Sequence, residues 1–121
     1  MLRIGVGVFL ILHGIIHAAI WVPPRPEEPL PGFGSQASWL FADVRAAVVS
    51  LALIAAGGFA FSGVAYLIHQ PWWAAMAVVA AVASLALTVA TFTPWWSAAI
   101  VIDLAIIYAA WGPLATQLSG E

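Results

Sequence analysis

Four apolar stretches, each about as long as one membrane crossing, constrain the fold of this 121-residue chain more than any other feature. An apolar helix needs about 20 residues to cross a hydrocarbon core of roughly 30 Å. The stretches that qualify are residues 2–22, 44–69, 72–92 and 95–111. Only 7% of the residues are charged, whereas soluble domains average roughly 25%. The sequence therefore predicts an all-α integral membrane protein whose main solvent is lipid.

The connections between these stretches predict how the helices pack. Two connections are short and alike, Gln-Pro-Trp-Trp at 70–73 and Thr-Pro-Trp-Trp at 93–96. Pro suits the first turn of a helix, and such tight connections make neighbouring helices antiparallel. Gly112-Pro113 is expected to end the fourth helix. We therefore expect residues 1–121 to form a single domain, an antiparallel four-helix bundle. Trp also suits the membrane–water interface, where we expect the Trp pairs of both connections, at 72–73 and 95–96, and also Trp21, Trp39 and Trp111.

The connection over residues 23–38 differs from the other two. It is longer and rich in proline, which favours an extended polyproline conformation. Toward its end, residues 35–39 read Ser-Gln-Ala-Ser-Trp and predict a helix start with a Ser cap. We expect this segment to be a stiff linker or a lid over one mouth of the bundle.

Charge and cysteine content narrow the classes of function. The net charge of the chain is −2 and there is no basic run, so we expect no nucleic-acid binding. The absence of cysteine excludes disulfides, thiolate metal sites and thiol chemistry. Residues 2–22 form a longer apolar run than a signal peptide has, so we expect them to be retained as a span.

The ionisable residues near the predicted spans fall mainly in one half of the bilayer. Placing a charge inside a membrane costs roughly 2.5–3.5 kcal/mol on insertion scales, so each needs a physical reason. Counted inward from the interfacial tryptophans at about 1.5 Å per residue, His13 and Asp103 both lie about 12 Å deep. His17 lies about 6 Å deep, and Asp43 and Arg45 enter the second span from the same side. The sequence therefore predicts one polar cluster contributed by three helices.

Three interpretations of this cluster remain open from the sequence. In the first, His13 and Asp103 bond to each other and only fix how the fourth helix packs on the first. In the second, the cluster binds a quinone- or lipid-like molecule or a partner subunit. Alternatively the protein is an enzyme, and the His and Asp side chains of the cluster act as general acid and base to isomerise, cyclise or hydrolyse a lipophilic substrate. Candidate ligand-binding residues are His13, His17, Asp43, Arg45, Asp103, Trp39 and Trp96, and His13 and Asp103 are the catalytic pair if the protein is an enzyme.

The third interpretation is a haem-, metal- or pigment-binding subunit. His13 and His17 are four residues apart and share one helix face, so two imidazoles can meet one ion. The Glu of the zinc-protease motif is missing, because Gly14 occupies its position. The HxxxH spacing alone is a weak pattern, so we assign no metal site and no particular cofactor.

The segment from Arg3 to His17, RIGVGVFLILHGIIH, has an Arg at the helix start, a run rich in Gly and Phe, and a Gly before a polar residue. This segment resembles the first span of DoxX-like small bacterial membrane proteins. The size of the chain, its four spans and the acidic residue that opens the second span also resemble that family. Many members carry Lys after the Gly, where this chain has His17. The resemblance implies a bacterial plasma-membrane protein related to redox-associated subunits near the quinone pool. Its expected partners are the lipid bilayer, a lipophilic small molecule, and a larger membrane complex or further copies of itself.

Overall fold

A computed structural model describes residues 1–23 and 37–120 of the chain. Four long helices make up most of this part: α1 (Leu2–Trp21), α2 (Arg45–Leu67), α3 (Trp73–Ala90) and α4 (Ser97–Ser119). A short 3-10 turn, Pro94–Trp96, leads into α4. All four helices are long and apolar enough to cross a membrane. The prediction of an all-helical bundle with four long apolar helices is confirmed.

Each helix packs mainly on its neighbour in the sequence, α1 on α2, α2 on α3 and α3 on α4. The first and last helices, α1 and α4, approach each other in few places. Arg3 at the start of α1 bonds to the end of α2, which defines the Arg3 end of the bundle. The end of α1 and the starts of α2 and α4 lie at the opposite end, here called the Trp21 end.

Small residues allow α1 and α2 to approach closely. A Cβ atom added to Gly14 would lie 2.6 Å from the carbonyl oxygen of Ala56, and one added to Gly63 would lie 2.6 Å from the carbonyl oxygen of Gly7. Both distances are below van der Waals contact, so only glycine fits. Close approach through small residues is the usual mode of packing between apolar helices.

The fourth helix does not end where the sequence predicts. Pro113 lies inside α4, which continues to Ser119 and ends at Gly120 in the left-handed conformation, with φ 71°. The continuation is stabilised by tertiary contact, because the side-chain amide of Gln117 donates to the carbonyl oxygen of Pro71. The prediction that Gly112-Pro113 ends the helix is therefore wrong.

The predicted helix start at residues 35–39 is also wrong where the structure describes it. Ala37–Ser38 and Ala42–Asp43 pair as two short antiparallel strands, β1 and β2. The Ser38 hydroxyl donates to the carbonyl oxygen of Ala90 at the end of α3 and accepts from the amide of Leu40, instead of capping a helix. The proline-rich part of the connection, residues 24–36, lies outside the described residues.

Two of the predicted interfacial tryptophans lie inside the bundle. Trp21 and Trp96 are only 1% and 5% exposed, and their ring centres are 4.5 Å apart. The indoles meet because α1 ends where α4 begins, so each fills the space beside the other. Trp39, Trp95 and Trp111 are exposed.

Candidate functional site

Four polar side chains from three helices form one hydrogen-bonded network inside the bundle. Asp103 of α4 is fully buried, and its Oδ1 lies 3.2 Å from Nε2 of His13 on α1. Its other oxygen, Oδ2, lies 2.5 Å from the Ser84 hydroxyl on α3. The same hydroxyl lies 2.6 Å from Nε2 of His17. The network, comprising His13, His17, Ser84 and Asp103, therefore joins α1, α3 and α4.

The two histidines are held by local helix geometry and by aromatic packing. They lie one turn apart, and Nδ1 of His17 donates to the carbonyl oxygen of His13 at 2.9 Å. Phe59 of α2 is fully buried and packs against both imidazoles, with ring centres 4.7 and 5.7 Å away. Trp21 stacks on His17 at 5.5 Å. Apolar rings thus enclose the network, which raises the cost of leaving any of its polar atoms unpaired.

The chemistry of the partners fixes part of the bond directions. A carbonyl only accepts, so Nδ1 of His17 carries a hydrogen. The Ser84 hydroxyl donates to Oδ2 of Asp103, and the same hydroxyl lies beside Nε2 of His17. Ser84 on α3 therefore links the carboxyl group of α4 to the second imidazole of α1.

The structure brings together three of the residues that the sequence predicts at the site, His13, His17 and Asp103. It adds Ser84, which is not among the site residues that the sequence predicts. Ser84 lies nine residues before Thr93 in the connection to α4, or about 14 Å along a helix. A depth count therefore places it near the level predicted for His13 and Asp103, but does not single it out from other polar residues of α3.

The other predicted site residues lie elsewhere in the fold. Arg45 is exposed at the first residue of α2. Trp39 is exposed on the hairpin and donates from Nε1 to the carbonyl oxygen of Val89 at 2.8 Å. Trp96 is buried against Trp21. Asp43 belongs to β2, and its side chain lies outside the described part of the structure.

A metal-binding role has little support in the network geometry. Nε2 of His13 faces Asp103, and Nε2 of His17 faces Ser84, so each of these nitrogens already has a partner. Across residues 1–23 and 37–120, no group of three or more His, Asp or Glu side chains is arranged to hold a metal ion.

An apolar groove of about 670 Å³ lies between α1 and α4, on the Arg3 side of the network. It begins beside the network, because Phe9 of its wall stacks on His13 with ring centres 5.7 Å apart, and Ile102 of its wall precedes Asp103. None of the four network side chains lines it. The groove is lined by Val6, Phe9, Leu10, Tyr66, Trp73, Ile102, Ala105, Ile106, Ala109 and Pro113.

Comparison with known proteins found no relative of this chain. No protein-family model matches it, and neither the curated proteins nor the solved structures contain a match. The resemblance of the first span to DoxX-like proteins therefore stays a prediction, and the geometry of the bundle carries the functional conclusion.

Proposed function

We propose that this protein is an integral membrane protein that crosses the bilayer four times and binds a lipophilic molecule in the groove between α1 and α4. Membrane insertion is supported by the outward faces of the helices. Leu12 and Ile15 on α1, and Leu104 and Val101 on α4, are all exposed. Soluble proteins rarely expose large contiguous apolar patches, whereas lipid solvates such a surface.

The groove is the observation that carries the proposed binding function. Its volume of about 670 Å³ falls within the roughly 300–1,000 Å³ of small-molecule sites. Phe9, Ala105 and Ala109 in its walls are exposed, so a molecule can enter sideways from the surrounding lipid. The apolar walls select a lipophilic ligand, because a polar one would lose its hydrogen bonds to water there.

The polar network supports this function by positioning the groove walls. Only Asp103, Ile106 and Ala110 of α4 are buried, so α4 is loosely packed. The contact from Asp103 to His13 ties α4 to α1 at one end of the groove. The alternative of an acid–base enzyme has less support, because Asp103 has no exposed surface and no network residue lines the groove.

The test of groove binding fills the groove with larger side chains. In Ala105→Phe/Ala109→Phe, two phenyl rings occupy the ligand's space. Purified, delipidated protein is titrated separately with a decyl-substituted benzoquinone and with palmitoyl-oleoyl phosphatidylcholine, and complexes are counted by native mass spectrometry. We expect a one-to-one complex of wild type with at least one probe, and affinity at least about tenfold weaker in the double variant, or about 1.4 kcal/mol.

The matched control is Ala98→Phe, which adds the same ring to an exposed position near the start of the same helix. We expect it to bind like wild type. Absence of a complex with both probes, or equal binding by the double variant and wild type, would refute the proposal. Membrane integration is tested separately, by retention of the protein in bilayers after alkaline carbonate extraction.

A further inference from the structure

The groove leads, at the Arg3 end, to a second and more polar cavity. This cup has a volume of about 300 Å³ and is lined by Arg3, Tyr66, His69, Gln70, Pro71 and Trp73. Tyr66 and Trp73 line the groove as well, and their rings meet edge to face at 4.9 Å. The groove and the cup are therefore adjacent and share this pair of rings as a common wall.

Arg3 is held in the cup with part of its hydrogen-bonding capacity unused. Its Nε and Nη2 donate to the carbonyl oxygen of Tyr66 at 3.0 and 2.5 Å, and its guanidinium carbon lies 5.4 Å from the centre of the Tyr66 ring. A guanidinium has five N–H donors, so three are left. Within the described part of the chain, no carboxylate forms an ion pair with Arg3. The cup thus presents a positioned cation that can still bind an anion.

We propose that the cup and groove together bind an anionic phospholipid, with its phosphate on Arg3 and one acyl chain in the groove. This inference rests on the proposed function, because it takes the groove as the lipophilic site. The groove follows α4 from Ile102 to Pro113, eleven helical steps with a total rise of about 17 Å. That length is close to one leaflet, half of a hydrocarbon core of roughly 30 Å. With the groove spanning one leaflet, the cup at its Arg3 end lies at the depth of the lipid headgroups.

The chemistry of the cup selects the headgroup. The groove alone does not distinguish lipids, since acyl chains are as apolar as its walls. A phosphate can take charge-assisted hydrogen bonds from the free N–H groups of Arg3, and basic pockets at helix ends favour anionic lipids in this way. His69 and Gln70, both exposed, offer hydrogen bonds to a glycerol headgroup. A choline headgroup would instead bring its own cation next to Arg3 and could donate no such bond.

The test compares two phospholipids that differ only in the headgroup. Delipidated protein is titrated with palmitoyl-oleoyl phosphatidylglycerol and with palmitoyl-oleoyl phosphatidylcholine in native mass spectrometry. We expect wild type to bind the phosphatidylglycerol about tenfold more tightly, and Arg3→Gln to lose most of that preference. Arg45→Gln removes the same charge from an exposed position at the Trp21 end and should keep the preference.

A second variant covers the case in which Arg3→Gln does not fold. Gln70→Glu leaves the bonds between Arg3 and Tyr66 in place and adds a carboxylate to the cup at an exposed position. We expect a larger loss of binding for phosphatidylglycerol than for phosphatidylcholine, because only the first lipid has a net negative charge. Unchanged phosphatidylglycerol binding in folded Gln70→Glu would overturn the proposal.

The outcomes separate this inference from the proposed function. If wild type binds both lipids equally and the Ala105→Phe/Ala109→Phe variant binds neither, the groove binds lipid but the cup does not select a headgroup. If wild type binds neither lipid nor the benzoquinone, both proposals fail. If Arg3→Gln and Arg45→Gln lose the preference for phosphatidylglycerol equally, the preference is a general effect of charge. That result would also overturn the proposal that the cup binds the headgroup.

Discussion

The two ends of the bundle use polar groups in opposite ways. Toward the Trp21 end, Asp103, Ser84 and the two network histidines are buried and bond to one another. Toward the Arg3 end, the guanidinium of Arg3 keeps free donors and lies in the cup next to an apolar groove. A ligand gains little from polar atoms that already have partners, whereas it gains a charge-assisted bond from Arg3. The buried cluster is therefore the better candidate for holding the fold, and the open end the better candidate for binding.

This contrast revises the most direct interpretation of the sequence. Ionisable groups inside a membrane are functional candidates by default, and His13 and Asp103 are the most evident such candidates in the proposed membrane spans. Their mutual contact at 3.2 Å favours the structural role that the sequence already allowed. The predictions below test the contrast by measuring stability at each end, from the largest expected effect to the smallest.

Replacing Asp103 with Ala should have the largest effect on stability. The change leaves the buried His13 and Ser84 side chains without their shared partner, and each buried polar group left unpaired costs about 1–3 kcal/mol. We expect the free energy of unfolding to fall by about 3 kcal/mol, measured by denaturation in sodium dodecyl sulfate and followed by tryptophan fluorescence. The control is Thr116→Ala, at an exposed hydroxyl on the same helix. Similar losses in the two variants would mean that the network does not hold α4.

Replacing Gly14 with Ala tests the packing that places Phe59 beside the network. The new Cβ would lie 2.6 Å from the Ala56 carbonyl oxygen and 3.1 Å from the Cβ of Phe59, so α1 and α2 must separate. We expect a loss of about 1–3 kcal/mol in the free energy of unfolding, as for other overpacked sites. Gly5→Ala, which meets nothing within 4 Å, should instead be neutral or stabilising by up to about 1 kcal/mol. Equal effects of Gly14→Ala and Gly5→Ala in the same denaturation assay would contradict this account of the packing between α1 and α2.

The smallest effect is expected at the Arg3 end, where His69 follows α2 with φ 65°. The helix closes there through a bond from the Gln70 amide to the Ala65 carbonyl oxygen, at 2.9 Å. Glycine adopts this left-handed conformation more readily than histidine, so His69→Gly should raise the free energy of unfolding by about 0.5–1 kcal/mol. Ile68→Gly, at an ordinary φ of −93°, should lower it. A loss of stability in His69→Gly would mean that its side chain contributes more than the backbone strain costs.

The number of helices, their apolar character and the shared depth of His13 and Asp103 follow from the sequence alone. In a helix that crosses a bilayer the length of the apolar run is set by the bilayer thickness, and the rise per residue of any α-helix is constant. Depth along the helix axis is therefore readable without a structure. By the same count Ser84 lies near this level, although the sequence does not indicate that it joins the two histidines to Asp103.

The direction in which each side chain points around its helix was decided by the tertiary structure. Helices that are apolar on all sides carry little signal of which face is inward, so the burial of Trp21 and Trp96 was not predicted. The same holds for the groove, which exists because α4 packs on α3 while α1 packs on α2. Continuation of α4 past Pro113 likewise depends on the contact between Gln117 and Pro71, which residues far apart in the sequence make only once the bundle has formed.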